Sequence, residues 1–242
     1  MDVAPVSDRY ALKMKGSEMT FAGKAVVSIW HDIADEGRDE FYWWHLHEHM
    51  PERAAVKGIA RGRRYIAEAG APEFFTLYEA EDLDALAGKE YLTRLNNPTP
   101  WTLSTVKHFR NVARSIQRVR YSKGPGMGGY LLTIRCEASD ADRFASDLVQ
   151  HALDPVSAIK GIAGVHLCET DMSISDTPTK ERKQRDGGTE MPGWAILVEA
   201  ARREEITHVC EQVLSDDALI AFGVNGAPQS TIYRLEYVCT QQ

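Results

Sequence analysis

The sequence predicts an α+β fold made of two tandem βαββαβ repeats. Three observations carry this. The tetrapeptide KGIA occurs at 57–60 and again at 160–163. The segments around each copy follow the same order of strand-like and helix-like patterns. A glycine-rich run, SKGPGMGG (122–129), separates the two halves and reads as a flexible turn.

The first half opens with KAVVSIWHDI (24–33), an apolar, β-branched run of strand length. A helix-like segment, RDEFYWWHLHEHM (38–50), follows the acidic pair Asp35 and Glu36. Pro51 removes a backbone donor and crowds the carbonyl of His47, so the helix is expected to end or kink there and a short turn to restart at Pro51. KGIA leads into the strand ARGRRYIAEA (60–69), then the strand EFFTLYEA (73–80) and the helix LDALAGKEYLTRL (83–95). An insertion, NNPTPWTLSTVKHF (96–109), reads as a proline-stiffened loop before the closing strand NVARSIQRVRY (111–121). The second half repeats the series. It has strands near 128–138, 164–174, 193–201 and 230–239, and helices at 139–153 and 203–214. Ser139 suits an N-cap, and Phe144, Leu148 and Ala152 form an apolar helical stripe. The charged stretch 176–193 reads as a solvated hairpin loop. The organisation is therefore an extension (1–23), a first repeat (24–121), a linker (122–129) and a second repeat (130–242). Each sheet needs cover on the face its helices leave bare, so the two sheets are expected to face each other around a pocket, helices outside.

Composition narrows the class of function. Of 242 residues, 43% are apolar and 26% charged, ordinary for a globular chain, and the net charge of −7 argues against a nucleic-acid partner. No apolar run approaches the roughly 20 residues of a membrane span. The first residues lack the apolar core of a secretion signal, and Cys136, Cys168, Cys210 and Cys239 stand far apart with no C-x-x-C pair. They are expected to be buried thiols in a cytoplasmic protein.

The run Phe41-Tyr42-Trp43, His49-Met50-Pro51, Gly58-Ile59 and Arg64-Tyr65 resembles the EthD-like branch of the dimeric α/β-barrel superfamily. The match covers residues 24–95, and the second half matches in element order. The resemblance implies two ferredoxin-like repeats fused in one chain as a dimeric-α/β-barrel-type pseudo-dimer. It implies small hydrophobic or aromatic substrates and chemistry that is often cofactor-free: isomerisation, lyase steps or oxygenation of electron-rich rings. Some relatives bind haem. His45 and His47 are additional to the usual His-x-Pro element.

The stretch FYWWHLHEHMPER (41–53) holds the candidate site. At 100° per residue, Tyr42, His45, His49 and Arg53 share a broad helix face, with Trp43, His47 and Met50 on an adjacent stripe. In one reading these rings and imidazoles are core and surface. In an acid–base reading, His49 projects into the barrel as the leading proton donor or acceptor, with His45 and His47 beside it. Tyr42, Trp43 and Trp101 would wall the pocket, Arg64 or Arg63 would hold a carboxylate or enolate, and His31 and His108 would orient or supply a second acid. Tyr65 and Asn97 complete the expected substrate contacts. In a metal reading, His45 and His49 at i, i+4 ligate a transition ion, with His31, His108 or Glu48 as third ligand. Alternation puts Arg61 and Arg63 on one strand face and Arg64 on the other, and such arginines are mostly solvated. The leading expectation is a cofactor-independent enzyme acting on a small aromatic or unsaturated acidic compound, of isomerase, lyase or monooxygenase type. A homo-oligomer is compatible with it. The alternatives are a His-ligated metal or haem enzyme and a non-catalytic binder of hydrophobic ligands.

Overall fold

In a computed structural model, residues 20–184 and 188–240 are described. The first repeat supplies β1 (Ala25–Ile33), β2 (Ile59–Ala67), β3 (Phe74–Ala80) and β4 (Phe109–Lys123). The second supplies β5 (Tyr130–Ala138), β6 (Ile162–Thr170), β7 (Trp194–Ala200) and β8 (Val224–Thr240). Each repeat is an antiparallel sheet of order 4-1-3-2. The two join edge to edge through β2–β8 and β4–β6 into one closed eight-stranded barrel. The expected pairing of sheet faces is therefore replaced by pairing of sheet edges, which leaves no exposed edge.

The helices lie outside, as expected. In the first repeat, α1 (Arg38–Trp44), a π turn (His45–His49) and α2 (Met50–Ala54) form one continuous helical path. Pro51 does not end it. The amide of Met50 donates to the His45 carbonyl five residues back, and this wider turn takes up the missing Pro51 donor at the start of α2. The second repeat makes the same construction with α6 (Ala141–Leu148), a π turn (Val149–Leu153) and α7 (Asp154–Ser157), with Pro155 where the first has Pro51. Asp140, not Ser139, caps α6, accepting from the Arg143 amide.

The expected helix 83–95 is broken at Gly88 into α3 (Leu83–Ala87) and α4 (Lys89–Asn96). The stiff loop NNPTPWT is largely helix. Thr99 caps α5 (Pro100–Val106) by accepting from the Thr102 amide, and Pro100 takes the first position, where no donor is needed. The stretch 176–193 is likewise not a solvated hairpin. After α8 (Met172–Ser175) it forms α9 (Lys180–Lys183), pinned to the first repeat by a buried ion pair, Arg53–Glu181 at 2.5 Å. The remaining helices, α10 (Arg203–His208) with its π extension (Val209–Val213) and α11 (Asp216–Ala221), cover the second sheet.

Each repeat has its own helix–sheet core, and a third core drawn from both fills the barrel. The expected hollow between the sheets is occupied by Trp30, Tyr65, Phe75 and Tyr233 at its middle. Towards the start of β1 it holds Arg63, 0% exposed, whose Nη1 lies 2.9 Å from both Glu199 oxygens and whose Nη2 lies 2.8 Å from Glu79. The expectation of solvated arginines on this strand thus fails for Arg63: its face is the lumen, and paired carboxylates make burial tolerable. His166 completes the group, 3.4 Å from Glu199 and stacked on Phe21 at 3.6 Å. Thr20, Phe21 and Ala22 close this end, with the Ala22 amide donating to Glu79 at 2.7 Å and Arg61 donating to the Thr20 carbonyl at 3.1 Å. Burial alone would raise the Glu199 carboxyl, but Arg63 and His166 hold it at about 2. Cys136 and Cys168 are buried thiols as expected, whereas Cys210 and Cys239 are only half-buried.

Candidate active site

The site lies in the layer between α1, the π turn and the outer face of the first sheet, not in the barrel. His49 was expected to look into the barrel. It is 6% exposed and packs between Trp44, at 4.3 Å, and Tyr78, at 6.4 Å, whose side chain belongs to the outer core. His45 is 3% exposed and stacks on His49 with ring centres 5.5 Å apart. The π turn puts both imidazoles on the side that faces the sheet.

From β2, Arg64 reaches the same layer. Its Nη1 lies 3.4 Å from His45 Nδ1, and its guanidinium covers the Tyr42 ring at 4.8 Å. Its Nε donates to Glu236 at 3.1 Å, and the Tyr42 hydroxyl donates to the other Glu236 oxygen at 3.5 Å. Glu236 was not anticipated. It lies on β8 of the other repeat and reaches the site through a bulge: Arg64 pairs with Tyr237 and Tyr65 with Leu235, so Glu236 is the extra residue between them. No local pattern in the sequence signals a bulge on a strand 172 positions from its partner.

Burial drives the His45 pKa well below its ordinary value, and the neighbouring His49 and Arg64 push the same way. His45 is therefore neutral. With Nδ1 accepting from Arg64, the proton sits on Nε2. Burial, then Glu236, raises the Tyr42 phenol, so it too is protonated near neutrality. The cluster of Tyr42, His45, His49, Arg64 and Glu236 combines two imidazoles, a phenolic donor and an ion pair. These groups can hold and exchange protons beside the guanidinium charge.

The other sequence candidates are distributed differently. His31, 1% exposed, sits among Phe41, Phe74 and Phe109, and Phe41 in turn lies 5.0 Å from His45, whose pKa the His31 charge also lowers. His47 is exposed and rests on Trp43, itself 60% exposed, with centres 4.0 Å apart. Tyr65 points into the barrel, on the strand face opposite Arg64. Asn97 caps the end of α4 by donating to the Thr93 carbonyl at 2.9 Å. Trp101 donates to Glu40, and His108 packs beside Gly37 with Glu36 at 3.7 Å. Glu48 ties α1 to α5 by accepting from Trp44, Thr99 and Thr102. Among the described residues, no three His, Cys, Asp or Glu side chains form a metal-binding group.

No family model and no curated protein matches the sequence. Solved structures share the fold along nearly the whole chain. An anthrone oxidase-like protein superposes with a TM-score of 0.56 at 11% identity, over 90% of this chain and 92% of its own. A presumed monooxygenase from Lactobacillus acidophilus gives 0.54 at 13% identity, over 90% and 97%. A heme-binding protein from Thermus thermophilus gives 0.51 at 10% identity, over 92% and 94%. At these identities the likeness is one of architecture: the chain has the fold of these α+β barrel proteins.

Proposed function

We propose that the first repeat is the catalytic half of a small-molecule enzyme of the EthD-like type. Its substrate is a small aromatic or unsaturated acidic compound. The shared step is removal or delivery of a proton at an electron-rich ring or enol by His45 and His49, with Arg64 facing the developing oxyanion and Tyr42 and Glu236 orienting the guanidinium. Isomerase, lyase and cofactor-free oxygenase reactions all begin in this way. The likeness to anthrone oxidase-like and monooxygenase folds supports the oxygenase branch.

One observation carries this reading, and it is internal to the chain. The second repeat builds the same π turn followed by proline, the same strands and the same seam bulge, but without the ionisable set. Val149 and Leu153 stand where the first repeat has His45 and His49. Leu167 stands where it has Arg64, each preceding a register shift with the partner strand. These aliphatic residues pack into the second core. The fold therefore does not need the two histidines and the arginine, and burying them costs stability that aliphatic side chains would not. Retaining them in one repeat is explained by chemistry.

A haem does not fit the layer as packed. Phe41, Trp44 and Tyr78 fill its depth at 0–2% exposure, leaving no slot for a porphyrin plane, and a small substrate would meet the cluster at its part-exposed rim, Tyr42 and Glu236.

The test is to graft the second repeat's own residues into the first, as His45→Val, His49→Leu and Arg64→Leu, with Glu236→Gln so that the carboxylate paired with Arg64 is not left alone. Oxygen uptake and ultraviolet change are followed with anthrones, hydroquinones and hydroxylated aromatic acids. The grafted variant, with no half-buried charge left unpaired, is expected to fold with unchanged or higher Tm and to lose roughly 10²–10⁴-fold in turnover of the compound the parent converts. Turnover within tenfold of the parent, or a collapse of the fold, would assign these residues to structure instead.

A further inference from the structure

The two ends of the barrel differ. One is sealed by Thr20–Ala22 over the Arg63 cluster. The other, at the end of β1, opens into a cavity of about 390 Å³, within the size range of small-ligand pockets. Arg135 of β5 forms its floor. It is 6% exposed, and its guanidinium lies 5.4 Å over the ring of Trp30. Trp30 is its pseudo-symmetry equivalent, since Trp30 pairs with Phe75 as Arg135 pairs with Ala195. The duplicated position thus carries an indole in one repeat and a cation stacked on it in the other.

Four arginines are buried among the described residues: Arg53, Arg63, Arg64 and Arg135. Three have a carboxylate close by, Glu181 at 2.5 Å, Glu79 at 2.8 Å and Glu236 at 3.1 Å. Among the described residues, Arg135 has only Glu190 at 3.5 Å, whose side chain is 54% exposed, and the neutral Gln229 amide oxygen. Asp32 lines the same cavity, but both its oxygens are engaged, by the Glu73 amide at 2.6 Å and the Asn111 side chain at 2.7 Å. Burial accordingly pushes the Arg135 pKa down, whereas carboxylates overcome burial and push Arg53 and Arg63 up. Asn111 itself is held at a φ of 50°, a conformation that costs energy outside glycine and recurs at ligand clamps. Ala71, Pro72 and Val112 give the cavity an apolar wall.

We infer that this barrel mouth is a second binding site, for a small carboxylate whose anion pairs with Arg135 and whose apolar body lies against Pro72 and Val112. A planar carboxylate matches the fork of a guanidinium that the fold leaves under-compensated. The site is separate from the histidine layer, which lies outside the sheet.

Benzoate is the probe, with benzamide as the uncharged control, followed by calorimetry. The proteins compared are the parent, Arg64→Leu, Arg135→Gln and Gln229→Glu. The last keeps the arginine and sets a carboxylate of the chain against it. Saturable binding of benzoate and not benzamide is expected in the parent and in Arg64→Leu, with affinity reduced at least tenfold in Gln229→Glu and in Arg135→Gln. Binding absent from the parent at 10 mM benzoate, unchanged in Gln229→Glu, or lost only in Arg64→Leu would overturn the inference. The last result would move the carboxylate to the histidine layer, and it leaves the graft experiment on that layer unaffected.

Discussion

Replacing Glu199 with Gln tests the charged group inside the barrel. Glu199 takes two contacts of 2.9 Å from Arg63, one of 3.0 Å from the Gly128 amide and one of 3.4 Å from His166. The amide is nearly the same size, so packing is kept and charge is lost. Arg63 is left with Glu79 as its carboxylate partner, and an incompletely paired buried ion costs roughly 3–5 kcal/mol. For a chain of this length that lowers Tm by roughly 10 °C. The acid limb gives a sharper test. The folded carboxyl titrates at about 2 against an ordinary 4.5, so its contribution is complete above pH 4.5 and disappears as the pH falls towards 2. At 1.36 kcal/mol per decade this contribution is about 3 kcal/mol. Urea unfolding from pH 7 to pH 2.5 should therefore show the parent losing stability below pH 4.5 and the gap to the variant closing. A gap that stays constant down to pH 2.5 would mean that Glu199 is not held ionised by Arg63, and the reasoning about the lumen would fail.

Three further outcomes follow from the same geometry. His45 and His166 are both depressed by burial, so below about pH 6.5 the unfolded chain binds protons that the folded chain refuses. Stability should fall as the pH drops from 7 to 5, and His45→Val should flatten part of that slope in urea titrations. Gly62→Ala places a Cβ 2.9 Å from Met50 Cε and from the Tyr78 ring, an overpacking worth about 1–3 kcal/mol in chemical denaturation. Arg53→Met removes the cation beside buried Glu181, which should cost roughly 3–5 kcal/mol and open the chain at Lys180–Lys183 to trypsin.

Much of the fold was legible because the sequence states it twice. KGIA and its flanking strands fixed the order of elements, and alternation correctly divided Arg61 and Arg63 from Arg64. What alternation cannot say is which face becomes a lumen, since that depends on edges meeting across the chain. Arg63 therefore read as solvated when it is the most enclosed cation of the barrel. The π turns were hidden for a different reason: adding one residue to a helical turn barely changes the hydrophobic period, and Pro51 read as a stop. The histidine-dense helix was legible as a candidate site because ionisable rings are rare at such spacing. Its partner Glu236 was not, because a bulge on a distant strand leaves no local mark.

The duplication also explains how the chain can hold such a cluster. The two seams are built alike, each with one bulged residue where the repeats meet: Glu236 opposite Arg64–Tyr65 and Arg120 opposite Leu167–Cys168. They carry opposite charges and meet different fates. Arg120 is neutralised at the surface by Glu169 at 2.5 Å and Asp142 at 2.8 Å, over a layer of Leu148, Leu153 and Leu167. Glu236 is drawn instead onto Arg64, over a layer in which two imidazoles replace aliphatic side chains. Because the barrel is closed by both seams, the aliphatic half contributes to the stability of the whole ring and offsets polar burial in the other half. If the histidine layer served stability, the graft of Val, Leu and Leu should loosen the seam it lies beside. If it serves chemistry, the same graft, with Glu236 neutralised as Gln, should give both layers an aliphatic filling and make the barrel harder to unfold.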